Sequence, residues 1–259
     1  MAQWSSFVAI GDSFTEGLDD PDGRGGYRGW ADLVASRLAT LSPGFRYANL
    51  AIRGRLLDQV IAEQVPPALE MSPDLVSFAA GGNDALRPKF DPDRTRDALL
   101  RVVSELASTG ATVVMFTAAD ATVVLPGLLG PRLTVLNAVV REVAQKCGAT
   151  LVDLWHDPGF RHPAMWSEDR LHLSGYGHRR VASRVLEALG QPYPPQWRDD
   201  PPSGPPTSWL AARRADLRWM RRHLAPWVYR RLTGRSSGDT VQAKRPRLEP
   251  VSDAPPAGS

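Results

Sequence analysis

FVAIGDSFTEG, residues 7–17, is a short apolar run that breaks at a glycine and passes straight into an acid and a serine. Phe7-Val8-Ala9-Ile10 reads as a buried strand, because four consecutive apolar residues bounded by a glycine suit a strand covered on both faces. Asp12 and Ser13 then stand at its carboxyl end, where a helix is about to start. Taken alone, Ser13 reads either as a helix cap or as a nucleophile at a strand end.

The rest of the chain repeats the pattern. Strands are expected at Phe7–Ile10, Arg46–Leu50, Leu75–Ala80, Thr112–Thr117 and Thr150–Leu154. Between them lie stripes of helical period: Trp30, Leu33, Val34 and Leu38; Leu56, Leu57, Val60 and Ile61; Leu99, Leu100, Val103 and Leu106; Leu136, Val139, Val140 and Val143; Val181, Val185, Leu186 and Leu189. Strand–helix alternation implies an α/β fold, a five-stranded parallel sheet with helices on both faces in a doubly wound, flavodoxin-like arrangement. Sites in such sheets lie at the carboxyl ends of the strands. The first four endings are Gly11-Asp12-Ser13, Asn49 to Gly54, Ala79 to Asp84 (AAGGND) and Thr117 to Asp120 (TAAD). Three of the four carry small or polar residues suited to a site, which places Ser13, Gly54 and Asn83 near one edge of the sheet.

Composition bounds the possibilities. The chain has 259 residues, 42% of them hydrophobic, enough for one large domain with a tail. Its single cysteine, Cys147, excludes an internal disulfide. Neither a signal peptide nor a stretch long enough to span a bilayer is read, so the expected location is cytoplasmic. Residues 191–259 hold 12 of the 31 Lys and Arg and 6 of the 28 Asp and Glu, so the net charge of +3 comes from the tail.

Organisation follows from these shifts. A catalytic domain is expected over 1–190, a Pro-rich linker over 191–207, a basic amphipathic helical arm over 208–235 and a disordered tail over 236–259. In the arm, Trp209, Leu210, Leu217, Met220, Leu224, Trp227, Val228 and Leu232 alternate with arginines and are interrupted at Pro226. Packing on the catalytic domain is the first reading of this arm, peripheral contact with an anionic membrane through 208–235 the second, and a protein contact the third. The KRPR cluster is too short to argue for nucleic acid, and none is expected as a partner. Composition leaves the oligomeric state open.

WSEDRLHLSGYGHRRVA, residues 166–182, adds the remaining chemistry. Asp169 and His172 are three residues apart, close enough for a carboxylate to hold one imidazole nitrogen and leave the other free as a base. A serine hydroxyl needs such a base. It also needs donors for the oxygen that becomes negative. Ser13 N–H, Gly54 N–H and the Asn83 amide are candidates, each at a strand ending. Asp12 and Asp84 read as loop-holding carboxylates.

These blocks resemble the SGNH (GDSL-type) hydrolase family. GDSFTEG is similar to its first block, NLAIRG to its second, GGND to its third and DRLH to its fifth, in the family's order. The first block carries GDSF where the family name has GDSL. The resemblance implies a three-layer α/β/α sandwich with no metal and no cofactor. It implies Ser13 as nucleophile, Asp169 and His172 as acid–base pair, and Ser13, Gly54 and Asn83 as oxyanion donors. It also implies hydrolysis of a small-molecule ester or other acyl substrate. Short-chain acyl or acetyl esters are the first expectation, lysophospholipid or thioester substrates the second, and acyl transfer on the same triad an alternative. Phe14, Leu125 in the apolar run 121–133, and Trp166 are expected to line the acyl site.

Overall fold

The computed structural model describes residues 4–124, 130–202, 209–226, 229 and 236–251. Five parallel strands form where the apolar runs stand: β1 (Ser6–Gly11), β2 (Arg46–Asn49), β3 (Leu75–Ala79), β4 (Thr112–Phe116) and β5 (Thr150–Val152). A sixth strand, β6 (Arg245–Pro250), pairs antiparallel with β2, and the sheet order is β5-β4-β3-β1-β2-β6. The order reverses beside β1, which is where a doubly wound sheet opens its crevice.

The helices are α1 (Ser13–Glu16), α2 (Gly29–Leu41), α3 (Leu57–Glu70), α4 (Gly82–Ala85), α5 (Pro92–Ser108), α6 (Gly130–Cys147), α7 (Gly175–Ala188) and α8 (Trp209–Trp219). Strand side chains alternate between faces, so β1 feeds two cores. Phe7 and Ala9 join Trp30 and Leu33 of α2 and Val181 and Val185 of α7. Val8 and Ile10 join Val60 of α3, Leu99 and Val103 of α5, and Leu136 and Val140 of α6. These are the expected stripes, and the result is a three-layer α/β/α sandwich. Between α2 and α7, His178 is buried; its Nδ1 accepts the Trp30 N–H at 3.3 Å and its Nε2 donates to Leu18 O at 3.2 Å. Those partners define a neutral ring, and burial pushes its pKa down to about 4.

The C-terminal region corrects two expectations. The sheet has six strands, not five, and the extra one falls within the segment 236–259 expected to be disordered. Composition averages over a window, whereas β6 forms because the outer edge of β2 offers unpaired backbone groups. Pro246 and Pro250 are tolerated because this is an edge strand. Arg46 Nη2 donates to Leu248 O at 2.5 Å, and the Arg245 guanidinium lies 5.4 Å from the Tyr47 ring centre. The expected linker also packs in part. Pro195–Arg198 form a 3-10 turn on α7, with Arg198 paired to Glu187 at 2.6 Å and stacked 4.5 Å over Tyr193. In the arm, α8 continues into a wider π turn, Met220–Leu224, before Pro226, whose ring would crowd the preceding carbonyls of a tighter helix.

Candidate active site

The Ser13 loop is built on Gly11. Its N–H and C=O both bond the buried Gln64 side-chain amide at 2.9 Å, so α3 fixes the end of β1 from below. Asp12 then caps α1, with Oδ1 accepting the Phe14 N–H at 3.1 Å and its carbonyl taking those of Thr15 and Glu16. The N–H of Ser13, between these, makes no hydrogen bond among the described residues. α1 ends at Gly17, with φ +91°, because a side chain there has no room. A Cβ on the neighbouring Gly29, at φ +79°, would come 2.3 Å from Gly17 Cα.

Two segments, the one after β2 and the one after β3, are laced to this loop and to each other. Asn49 Nδ2 donates to Thr15 O at 2.9 Å, and Glu16 accepts the Arg53 N–H at 2.8 Å and pairs with its guanidinium. Asn83 Nδ2 donates to Asp12 Oδ2 and to Arg55 O, both at 3.0 Å. Asp84 Oδ2 accepts the Leu57 N–H at 2.9 Å. Asp12 and Asp84 therefore hold loops, as expected. Burial, opposed by the Phe14 N–H, His172 and Asn83, raises the Asp12 carboxyl to about 6.

Ser13, His172 and Asp169 converge. Ser13 Oγ lies 3.0 Å from His172 Nε2, and His172 Nδ1 lies 2.5 Å from Asp169 Oδ2. Asp169 Oδ1 accepts the N–H groups of Leu171 and His172 at 2.9 Å each. Burial disfavours the Asp169 anion, but the His172 and Ser167 hydrogen bonds outweigh it and hold the carboxyl well below the usual range. Burial likewise disfavours charged His172. The Asp169 bond and charge, helped by Asp19 and Asp12, overcome that and raise its pKa above the ordinary 6.5.

Asn83, Phe14 and Trp166 share with Ser13 and His172 the wall of one cavity of about 180 Å³. Leu86, Leu133, Leu136, Val140 and Leu171 complete its apolar end. Phe14 is fixed against Trp30 and Phe116, with ring centres 5.5 Å away in both cases. Trp166 Nε1 donates to Phe160 O at 2.8 Å, which fixes its indole in the cavity wall. Gly54 is not part of the cavity wall. It sits in the adjacent turn with φ +74°, and its N–H makes no hydrogen bond among the described residues. Leu125 lies outside the described residues.

Several contributors were not legible in the sequence. Ser167 Oγ lies 2.7 Å from both Asp19 Oδ2 and Asp169 Oδ1, and Asp19 reaches within 3.9 Å of His172 Nδ1. Asp19 and Arg170 are both left-handed, at φ +67° and +62°. Asp19, Asp169 and His172 are near enough to face one cation, yet the Asp169 oxygens are already engaged by His172, Ser167 and two backbone N–H groups. Only Ser167, two residues before Asp169, offered a local signal.

The profile of the GDSL-like Lipase/Acylhydrolase family matches residues 9–180, and the chain belongs to that family. It is thus a carboxylic ester hydrolase of the GDSL type. Three solved structures share the fold. LAE5, an alpha/beta hydrolase enzyme from the metagenome of Lake Arreo, Spain, is 24% identical with a TM-score of 0.63 over 73% of this chain and 97% of that one. A catalytic mutant of Axe2, an acetylxylan esterase from Geobacillus stearothermophilus, is 21% identical with a TM-score of 0.62 over 72% and 94%. TesA is 23% identical with a TM-score of 0.59 over 71% and 97%. No match was found among curated proteins. Among the described residues, no helix is long and apolar enough to cross a membrane.

A general base must be neutral to accept a proton, so a base role for His172 predicts activity that is lost as pH falls through its pKa. With that pKa raised, the acid limb of kcat/KM should have its midpoint above 6.5. Replacing Asp169 with asparagine should move the midpoint down. A pH–rate profile of both proteins checks this; a wild-type midpoint at or below 6.5 would contradict it.

Proposed function

We propose that the chain cleaves esters of apolar, medium-length acyl groups through an acyl-enzyme on Ser13. The observation that carries this reading is the Ser13–His172–Asp169 hydrogen-bonded chain, 3.0 and 2.5 Å, on the wall of an apolar cavity. Ser13 Oγ attacks the carbonyl carbon while its proton passes to His172 Nε2. Asp169 holds the imidazolium through Nδ1. The carbonyl oxygen, now negative, takes the unpaired N–H groups of Ser13 and Gly54. Both hydrogens of the Asn83 amide are engaged, so its donation to the oxyanion takes the hydrogen now on Asp12 or on Arg55 O. Collapse expels the alcohol, which leaves with the proton from His172. Water then attacks the acyl carbon and gives its proton to His172; the second tetrahedral intermediate collapses to the acid as Ser13 Oγ leaves and takes that proton back from His172.

Acyl size follows from the cavity. A site of roughly 150 Å³ lined by Leu, Ile and Phe holds benzene, so about 180 Å³ here suits an acyl chain of roughly six to eight carbons. This reading favours longer chains than the acetyl esters expected first. Each buried methylene contributes about 0.8 kcal/mol, close to fourfold. With p-nitrophenyl esters of rising chain length, kcat/KM should climb steeply to about that length and then level or fall. Leu136→Trp, which fills the apolar end, should move the optimum to acetate and propionate. A wild-type optimum at acetate, unmoved by Leu136→Trp, would remove the acyl-cavity assignment.

A further inference from the structure

Helix α8 has two different faces. The inner one grips the loop that carries the triad's acid. Trp219 Nε1 donates to Asp169 O at 2.8 Å, Arg170 Nη2 donates to Asp216 Oδ1 at 2.7 Å, and the Arg170 guanidinium stacks 5.0 Å over the Trp219 ring. Arg222 approaches Glu168 at 3.9 Å.

Among the described residues, the outer face makes no hydrogen bond or ion pair outside its own helix. Trp209, Leu217 and Met220 are 69%, 55% and 40% exposed and, at about 100° per residue, fall in one arc with Arg213. Arg214, Arg218 and Arg221 are exposed in the adjoining arc and form no ion pair with any described residue. The one acid in the segment, Asp216, is held by Arg170 at 2.7 Å and approached by Arg213 at 3.7 Å, which leaves Arg214, Arg218 and Arg221 without an acid in the segment. Single exposed apolar side chains are ordinary, but three in a stripe flanked by arginines define a patch.

We propose that this outer face lies on an anionic lipid surface. Charge decides the occupant. A second copy would set arginines against arginines, and an apolar groove on a protein would leave them unpaired. Nucleic acid would match the arginines but offers no apolar layer to Leu217 and Met220. A headgroup layer over acyl chains matches both arcs, the mode of an amphipathic helix lying in the interface. Because the inner face holds Asp169 and Arg170, docking sets Leu171 and His172, and with them the cavity, beside that surface.

The test uses the full chain and does not depend on Ser13 chemistry. It is sedimented with vesicles of phosphatidylcholine alone and of phosphatidylcholine and phosphatidylglycerol in equal parts. Binding is expected to the mixed vesicles and to weaken with salt. Each arginine near an anionic surface contributes about fivefold, so Arg214→Gln, Arg218→Gln and Arg221→Gln together should lower the partition coefficient roughly 100-fold. Trp209→Ser with Leu217→Ser should also release the protein. Both variants should hydrolyse a soluble ester like wild type, which shows that they are folded. Binding to neither vesicle overturns the proposal, as does equal binding to both. Arginine-dependent binding to an oligonucleotide without vesicle binding overturns it too, as does lipid-free dimerisation abolished by Leu217→Ser.

Discussion

Ser13→Ala and Asp169→Asn should each lower kcat by about 10,000-fold, and the double variant should be little worse than either alone. Serine triads act as a unit, and loss of one member leaves the rate supplied by the oxyanion donors and binding. Ser13→Ala removes the atom that lies 3.0 Å from His172 Nε2. Asp169→Asn keeps the size of the group bonded to His172 Nδ1 but presents an amide that favours the wrong tautomer, with the proton on Nε2 facing Ser13. Asp169 also accepts two backbone N–H groups of its own loop, so circular dichroism should accompany the kinetics. Single losses of less than about tenfold, or losses that multiply in the double variant, would break the triad assignment.

Lys244→Met should destabilise the fold by about 3 kcal/mol, lowering Tm by roughly 6–12 °C. Lys244 Nζ donates to Glu16 O at 2.5 Å, Tyr27 O at 3.1 Å and Arg28 O at 2.6 Å, and pairs with Asp32 Oδ2 at 2.5 Å. The tail thereby ties the end of α1 to the start of α2, where Gly17 and Gly29 abut. Both ionic side chains are about four-fifths covered, at 21% and 22% exposure. Burial raises the Asp32 carboxyl to about 6, and Lys244 is the largest influence opposing that rise. Removing the lysine strands the acid and leaves three carbonyls without their donor. Asp32→Asn in the Lys244→Met background should recover part of the loss, because it removes the stranded charge. Thermal melts of both variants check this. An unchanged Tm in Lys244→Met would show that the tail is not part of the folded unit.

Lys244 also marks where the sequence stops being readable. The parallel sheet was legible because buried strands and helical stripes are local patterns. The candidate site was legible because its parts stand at strand ends and carry short motifs: Ser13 after β1, Asn83 after β3, and Asp169 and His172 three residues apart. The contacts that complete it are not local. Lys244 reaches back to Asp32, Ser167 to Asp19, and Trp219 to the carbonyl of Asp169. β6 was hidden by a composition of Ser, Gly, Pro and mixed charge, yet pairing with β2 depends on backbone groups and an open edge. Gly54 was read as a donor from its turn; the turn is there, and its N–H is unpaired.

We propose that Ser13 is the nucleophile and that His172 activates it. Labelling the full chain with a fluorophosphonate and mapping the adduct by peptide mass spectrometry tests it most directly. One phosphonyl group per chain is expected, on the peptide carrying Ser13, with no adduct in Ser13→Ala and greatly slowed labelling in His172→Ala. An adduct on another serine, or equal labelling of Ser13→Ala, would contradict it.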